Sequence, residues 1–251
     1  MNIGISIVHY GEQKLLDDCL KSLNVKYYDD FDGCGGRKYR ILDSIFEVKV
    51  YDSNINNIGF TAGNNVVIKH FLLERGITDW IWLLNNDTTV PKETLEAIEK
   101  VLPTLDKEIG IVGFKILSMD NPDLIHHAGT GNSFPFGEHK SGSVRLKQFN
   151  KRTNEKWVTF ASVLIRREVF ESIGLLDEKM VNYYSDSEFC FRARYNGWRV
   201  IYEPSFVIHH KIGQSQNPSE AQQKVMKLDG VAFQNKMLNG KVFFDLDKEL
   251  V

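Results

Sequence analysis

The apolar run Ile81-Trp82-Leu83-Leu84 breaks at once into Asn85-Asn86-Asp87, and a helix-like pattern resumes after Pro91. A carboxylate at such a break can ligate a hard divalent cation, Mg2+ or Mn2+, which takes oxygen ligands from one or two carboxylates and from substrate phosphates. The same residues fit an Asx turn that caps the next helix. Local sequence supports both readings equally. Two further polar breaks are His9-Tyr10-Gly11 and the stretch from Tyr51 to Asn65, YDSNINNIGFTAGNN. In the latter, Gly59 and Gly63 lead into a helical pattern whose first N–H groups can face an anion. Their spacing is neither a dinucleotide fingerprint nor a P-loop, so a glycine-permitted helix start is the simpler reading. Asp186 opens a helical pattern after VNYYS, where it can serve as a general base or as a first-turn acid favoured by the helix dipole. His209 and His210 close an apolar stretch, as ligands or as ordinary strand-end histidines. His126 and His127 read as loop histidines.

The elements that must carry these residues alternate. IGISIVHY reads as a buried strand, followed by a helix with Leu15, Leu16, Cys19, Leu20 and Leu23 on one face. FEVKVY is a second strand, and TAGNNVVIKHFLLERG a helix ended by Gly76. DWIWLLN is a third strand, PKETLEAIEKVL a helix with Pro91 in its first turn, and IGIVGF a fourth strand. This alternation predicts a parallel sheet with right-handed crossovers and ligands outside the carboxyl ends of its strands. The polar breaks then fall on one rim. From Asp120 to Glu155 the pattern dissolves into HHAGTGNSFPFGEHKSG, too polar for core and long enough for a functional loop. KWVTFASVLIRREVF reads as a strand entering a short helix, DSEFCFRARYNGW as a helix stopped by Gly197, and RVIYEPSFVIHH as one or two strands. From Pro218 the spacing of Ala221, Val225, Leu228, Val231 and Ala232 predicts an amphipathic helix packed on the body, its lysines on a solvated face. No internal repeat is present.

Composition narrows the function. The 251 residues carry 31 Lys and Arg against 33 Asp and Glu, a net charge of -2, which excludes the basic excess of a dedicated nucleic-acid binder. No apolar run approaches the roughly 18 residues a membrane span needs. The start, MNIGISIVHYGEQ, lacks the basic and apolar regions of a signal peptide. Cys19, Cys34 and Cys190 are scattered without a CxxC pair, which predicts a reducing cytosol and no structural zinc. The expected protein is cytoplasmic, with at most peripheral contact at the inner membrane face.

Five segments in order resemble a family-2 glycosyltransferase of the GT-A type, close to the bacterial rhamnosyltransferase-like branch. IVHYGEQKLLDDCLKSL resembles the opening strand and helix, NIGFTAGNN the N.GFA.G.N motif, and WLLNNDTTVP the degenerate DXD segment L.LN.D....P. GLLDEKMVNYYSDSEFCFRARYNGW resembles G.fDe.ff.Y.ED.dlc.R....G, and VIHHKIGQS the closing v.H..g.S. The resemblance implies an α/β GT-A fold with a Rossmann-like, mostly parallel sheet flanked by helices and an acceptor-side loop region. It divides the chain into residues 1–218, with a nucleotide-sugar half (1–118) and an acceptor and catalytic half (119–218), and a helical tail (219–251). It makes Asp87 a metal ligand, His210 a second metal or diphosphate ligand with His209 as the alternative frame, and Asp186 the general base. Asn85 would contact the donor ribose or diphosphate, and Tyr10, Asn57, Gly63 and Asn64 would line the donor pocket. The implied reaction is Mn2+- or Mg2+-dependent, inverting transfer of a sugar from a UDP- or dTDP-sugar to a saccharide or lipid-linked saccharide in polysaccharide or glycan biosynthesis. Nucleic acid is not an expected partner.

Three departures stand out. The family's VDN.S.D stretch has no clean match, leaving Asp30, Asp32 and Asp52 as candidates for the nucleobase contact. Ser185 replaces the usual Glu beside Asp186, which removes a like charge and predicts a less elevated pKa. The chain ends soon after the His motif, which is an expectation against a processive, membrane-embedded synthase. Two other functions compete: a nucleotidyltransferase, for which the N-terminus lacks a basic glycine-rich loop, and a non-catalytic carbohydrate-binding protein that keeps the fold.

Overall fold

Strand β5 (Trp80–Leu84) is buried at every residue, because its side chains serve two cores at once. Trp80, Trp82 and Leu84 join one apolar cluster with Ile3, Ile5, Ile7, Phe114 and Ile208, while Ile81 and Leu83 join another with Val67, Phe71, Ile165 and Phe189. A strand covered on both faces reads as a continuous apolar run rather than an alternation, as the sequence does here. Each such fully buried large side chain contributes about 1.5–3 kcal/mol of transfer free energy.

The computed structural model describes residues 1–30, 37–40, 45–74, 78–131, 138–211 and 218–239. In chain order the elements are β1 (Ile3–His9), α1 (Gln13–Ser22), β2 (Lys26–Asp30), β3 (Arg37–Arg40), β4 (Phe46–Asp52), α2 (Gly59–Leu73) and β5. Then come β6 (Thr88–Thr89), α3 (Lys92–Val101), β7 (Ile109–Ser118), β8 (Leu124–His127), β9 (Gly142–Ser143), β10 (Thr153–Asn154) and β11 (Ser162–Arg166). The chain continues through α4 (Arg167–Ile173), α5 (Ser185–Tyr195), β12 (Arg199–His210) and α6 (Glu220–Asn239). The main path of the sheet runs β10-β12-β7-β11-β5-β1-β4-β3-β2.

Strands β4, β1 and β5 are parallel, as are β7 and β12. The sheet is mostly parallel at its centre, with β11 inserted antiparallel between β5 and β7 and an antiparallel β2–β3 hairpin at one edge. This is the expected mostly parallel sheet, with β11 and the β2–β3 hairpin among its antiparallel members. The reversal at β11 needs no crossover, because β11 follows the β8–β10 excursion rather than a helix. RVIYEPSFVIHH is one strand, bulged between Glu203 and Val207. Pro91 is the N-cap of α3 rather than a first-turn residue.

Three further expectations change. The Asp120–Glu155 segment is not all solvent loop: β8 pairs with β7 and β9, and Ile125, Ala128, Phe149 and Tyr202 form a small core of their own. His127 accordingly lies buried in a strand, its Nδ1 2.8 Å from Nδ1 of His139, and burial holds its pKa well below the usual imidazole value. The tail helix does pack on the body, through a different face. Leu228 and Val231 are exposed, whereas Asp229, Phe233 and Met237 are buried. Gly76, Cys34, Asp32, the Gly213 and Ser215 of the closing motif, and residues 240–251 lie outside the described residues. No helix among the described residues is long and apolar enough to cross a membrane.

Candidate active site

The carboxyl ends of β1, β4 and β5 meet on one rim and are laced together by amides. Asn86 places its Nδ2 3.0 Å from Nδ1 of buried His9 and donates to the Tyr10 carbonyl at 3.2 Å. Ser53 N–H donates to the His9 carbonyl at 2.7 Å, and Asn54 exchanges hydrogen bonds with both backbone groups of Gly11. Asp52 ends β4 opposite His9 and accepts the Asn54 N–H at 3.0 Å. Tyr10 stands 61% exposed above this rim, free to cover a flat ligand. Asn86 was visible in the sequence as one of two successive amides, yet nothing there assigned it the bridge between strands.

Asp87 follows the same break. Asn85 N–H donates to the Ala161 carbonyl at 3.0 Å, and its own carbonyl accepts the Thr88 hydroxyl at 2.7 Å, so a turn does fix the segment. That turn hands the chain to β6, which pairs antiparallel with His209–His210 at the end of β12. Asp87 Oδ1 thereby lies 3.0 Å from Nε2 of His210, and the Asp87 carbonyl accepts Lys211 N–H at 2.9 Å. It is His210, not His209, that meets Asp87. Both side chains stay partly exposed, at 24% and 18%, so a ligand can reach them from solvent. A carboxylate oxygen and an imidazole nitrogen are an acceptable donor pair for Mn2+. Among the described residues no cluster of three or more His, Cys, Asp or Glu offers a complete metal cage. Asp87 and His210 thus offer two donor atoms to a cation, one oxygen and one nitrogen. His126 on β8, which pairs with β7, is held below its usual pKa by burial and then by the charge of His210.

Asp186 sits in the first turn of α5, partly buried. Burial pushes its carboxyl up to about 6, opposed by N–H donation from Ser187, Phe160 and its own backbone. Desolvation does the raising, and no neighbouring like charge adds to it. The Phe160 contact also ties Asp186 to the metal-motif strand, because the next residue, Ala161, holds Asn85. A carboxyl with this pKa is half-protonated near pH 6. If Asp186 acts as a general base, kcat should fall with a single-proton limb below about pH 6 and level off above it, measured from about pH 5 to about pH 8.

Not every expected donor residue reaches the rim. Asn64 is 1% exposed, accepting the Ser6 hydroxyl at 2.9 Å and donating to the Phe60 carbonyl at 3.0 Å. Gly63 faces the sheet, where a Cβ would come within 3.0 Å of Val8, so it serves close packing of α2 on β1. Both of these expected pocket residues make packing or hydrogen-bond contacts inside the protein. Asn57 caps α2 by accepting Gly59 N–H at 3.1 Å. The next N–H groups, of Phe60 and Thr61, donate to Asn182 Oδ1 and the Val181 carbonyl at 2.8 and 3.0 Å. Those donors are consumed within the protein, so the start of α2 is a glycine-permitted turn and not an anion site. Asn182, which makes this junction, had no signal in the sequence.

Residues 47–227, most of the chain and all of these rim elements except β1, match the model of glycosyltransferase-like family 2. The chain belongs to this family. A relative, an O-antigen biosynthesis protein of Myxococcus xanthus, is 31% identical over 157 residues, 59% of this chain but 12% of that protein. The low-salt glycan biosynthesis hexosyltransferase of Haloferax volcanii is 26% identical over 201 residues, 77% of this chain and 62% of its own length. This family-2 chain therefore spans less than two thirds of either relative. Its fold is similar to that of GalNAc-T7 in complex with UDP, GalNAc and Mn2+, with a TM-score of 0.57 and 13% identity over 87% of this chain and 45% of that one. The fold of the family-2 chain is thus the GT-A fold.

Proposed function

We propose that this family-2 chain is a divalent-cation-dependent, inverting glycosyltransferase that moves a hexose or deoxyhexose from a UDP- or dTDP-sugar to a saccharide or lipid-linked saccharide acceptor in polysaccharide or glycan assembly. The observation that carries this is the approach of Asp87 and His210 to 3.0 Å at the rim where β1, β4 and β5 end. Asp87 and His210 would hold the cation from one side, leaving the diphosphate to complete its shell. The cation supplies Lewis-acid neutralisation of the departing diphosphate. Tyr10 and Asp52 flank the place for the nucleoside, and Asn85 and Asn57 border it. Asp186 takes the proton from the acceptor hydroxyl as that oxygen attacks the anomeric carbon, and a single displacement inverts the configuration there. The UDP and Mn2+ named for the structural neighbour, and the O-antigen and glycan products named for the relatives, support the donor, cation and acceptor classes.

The direct test is turnover of UDP-, dTDP-, GDP- and CDP-sugars with Mn2+ and a panel of saccharide and prenyl-diphosphate-linked saccharide acceptors. Release of nucleoside diphosphate, with a product of inverted anomeric configuration by NMR, is the expected result. Release of pyrophosphate from an NTP and a sugar phosphate would instead identify a nucleotidyltransferase. Saccharide binding indifferent to metal and nucleotide, without turnover, would identify a carbohydrate-binding protein.

A further inference from the structure

Helix α6 places a carboxylate where charge is expensive. Asp229 is 1% exposed, and its Oδ2 accepts the backbone N–H groups of both Asn182 and Tyr183, at 2.8 and 2.9 Å. Two successive N–H groups on one acceptor fix the local backbone direction. The following residue, Tyr184, takes a left-handed conformation with φ +63°, which a bulky side chain holds only when its surroundings impose it. Here they come from the same helix. The Tyr184 ring stacks on Phe233, centroids 5.5 Å apart at 16°, and a Cβ at Gly230 would lie 3.3 Å from that ring. Immediately after Tyr184 the chain enters α5 with Ser185 and Asp186, and Glu188 N–H closes the first turn on the Tyr184 carbonyl at 2.9 Å. One turn further along α6, Lys236 grips both ends of the stretch, Asp177 at 2.6 Å and Glu188 at 2.8 Å.

We infer that Asp229 is a positioning residue for Asp186, and that α6 is an integral brace of the active site rather than a separate tail. The inference rests on Asp186 being the base. The brace acts through backbone: Asp229 fixes Asn182–Tyr183, Phe233 holds Tyr184 left-handed, and that turn sets the direction in which α5 begins and its first-turn carboxylate points. The Asp87–His210 pair lies on other elements, so the brace governs the proton-transfer step and leaves that pair in place.

The two N–H groups converge on a single oxygen, and this gives a sharp test. Asp229→Asn keeps a carbonyl oxygen there and should stay within about threefold of wild-type kcat. Asp229→Ala loses the acceptor and should lower kcat by about a hundredfold, the scale expected for a displaced catalytic group. Its Kd for UDP with Mn2+ should stay within about threefold of wild type, since the metal and donor residues are untouched. A folded Asp229→Ala variant with wild-type kcat overturns the inference, as does Asp229→Asn that is as impaired as Asp229→Ala. If Asp229→Ala does not fold, Phe233→Leu, which removes the stack on Tyr184 but keeps an apolar side chain, must lower kcat at unchanged UDP affinity. An unchanged kcat in that variant also overturns it. Asp186→Asn in parallel separates the two ideas: wild-type Asp229→Ala beside inactive Asp186→Asn removes only the brace, whereas active Asp186→Asn removes the base assignment itself.

Discussion

Asp186→Asn should lower the transfer rate by at least about a hundredfold while Mn2+-dependent nucleotide binding stays at its wild-type value. The amide preserves the shape of the side chain and its acceptor oxygen for Ser187 N–H, so α5 keeps its first turn. What it loses is the ability to take a proton. The alternative role, a first-turn acid favouring the helix dipole, predicts the opposite pattern: a small loss of stability and normal turnover. Stability itself discriminates. Because burial raises the folded-state pKa to about 6, above the ordinary value of 3.8, the ionised carboxylate opposes folding. That cost is absent when the group is protonated in both states, grows as pH rises from about 4 to about 6, and is fully present above. Asp186→Asn should therefore melt at or above the wild-type temperature at about pH 8, with the gap closing below about pH 4. A dead enzyme that is more stable than its parent is what a desolvated catalytic base produces.

Asp87→Ala should abolish the Mn2+ dependence of donor binding, reducing nucleotide affinity in the presence of Mn2+ to its value without metal. His210→Ala should weaken Mn2+-dependent binding by about ten- to a hundredfold, the range found for groups that orient or share a metal site. The two variants differ in their local effects. Asp87 lies in the turn between β5 and β6, but the turn's own hydrogen bonds run through Asn85 and Thr88 backbone and hydroxyl groups, so Asp87→Ala keeps that turn. His210 is anchored by strand pairing with Thr88, which also survives removal of its ring. Loss of metal response without loss of fold is the expected outcome for both, read by titration calorimetry with UDP or dTDP.

The sheet's centre was legible because both of its faces are covered, so β5 appears as an unbroken apolar run and β1, β4 and β7 as strongly apolar ones. The antiparallel β11 was not, since SVLIR looks the same in either direction and only its neighbours β5 and β7 decide its sense. At the site, Asp87 and His210 were legible as motif members, 123 residues apart in sequence, and the β6–β12 pairing explains physically how they meet. Asn64 and Gly63 were legible as motif members too, but a motif records that a residue type is required and not whether a ligand or a neighbouring strand requires it. The same ambiguity hid Asp229. In sequence it is one more charge on a helix full of lysines, and its burial depends on Asn182 and Tyr183, which no helical periodicity connects to it. The raised pKa of Asp186 was hidden for a related reason: like charges are visible in sequence, whereas desolvation is visible only in three dimensions.

The central claim, a nucleotide-diphosphate site completed by a cation at Asp87 and His210, is tested most directly by thermal unfolding with UDP, dTDP, GDP and CDP, each with and without Mn2+. A ligand that binds only the folded state at about a hundred times its Kd stabilises by about 2.7 kcal/mol, which for a chain of this size is a rise of roughly 5–10 °C. UDP or dTDP with Mn2+ should produce a rise of that order, and the same nucleotide without Mn2+ a much smaller one. No change with any of the four nucleotides, with or without Mn2+, would contradict it.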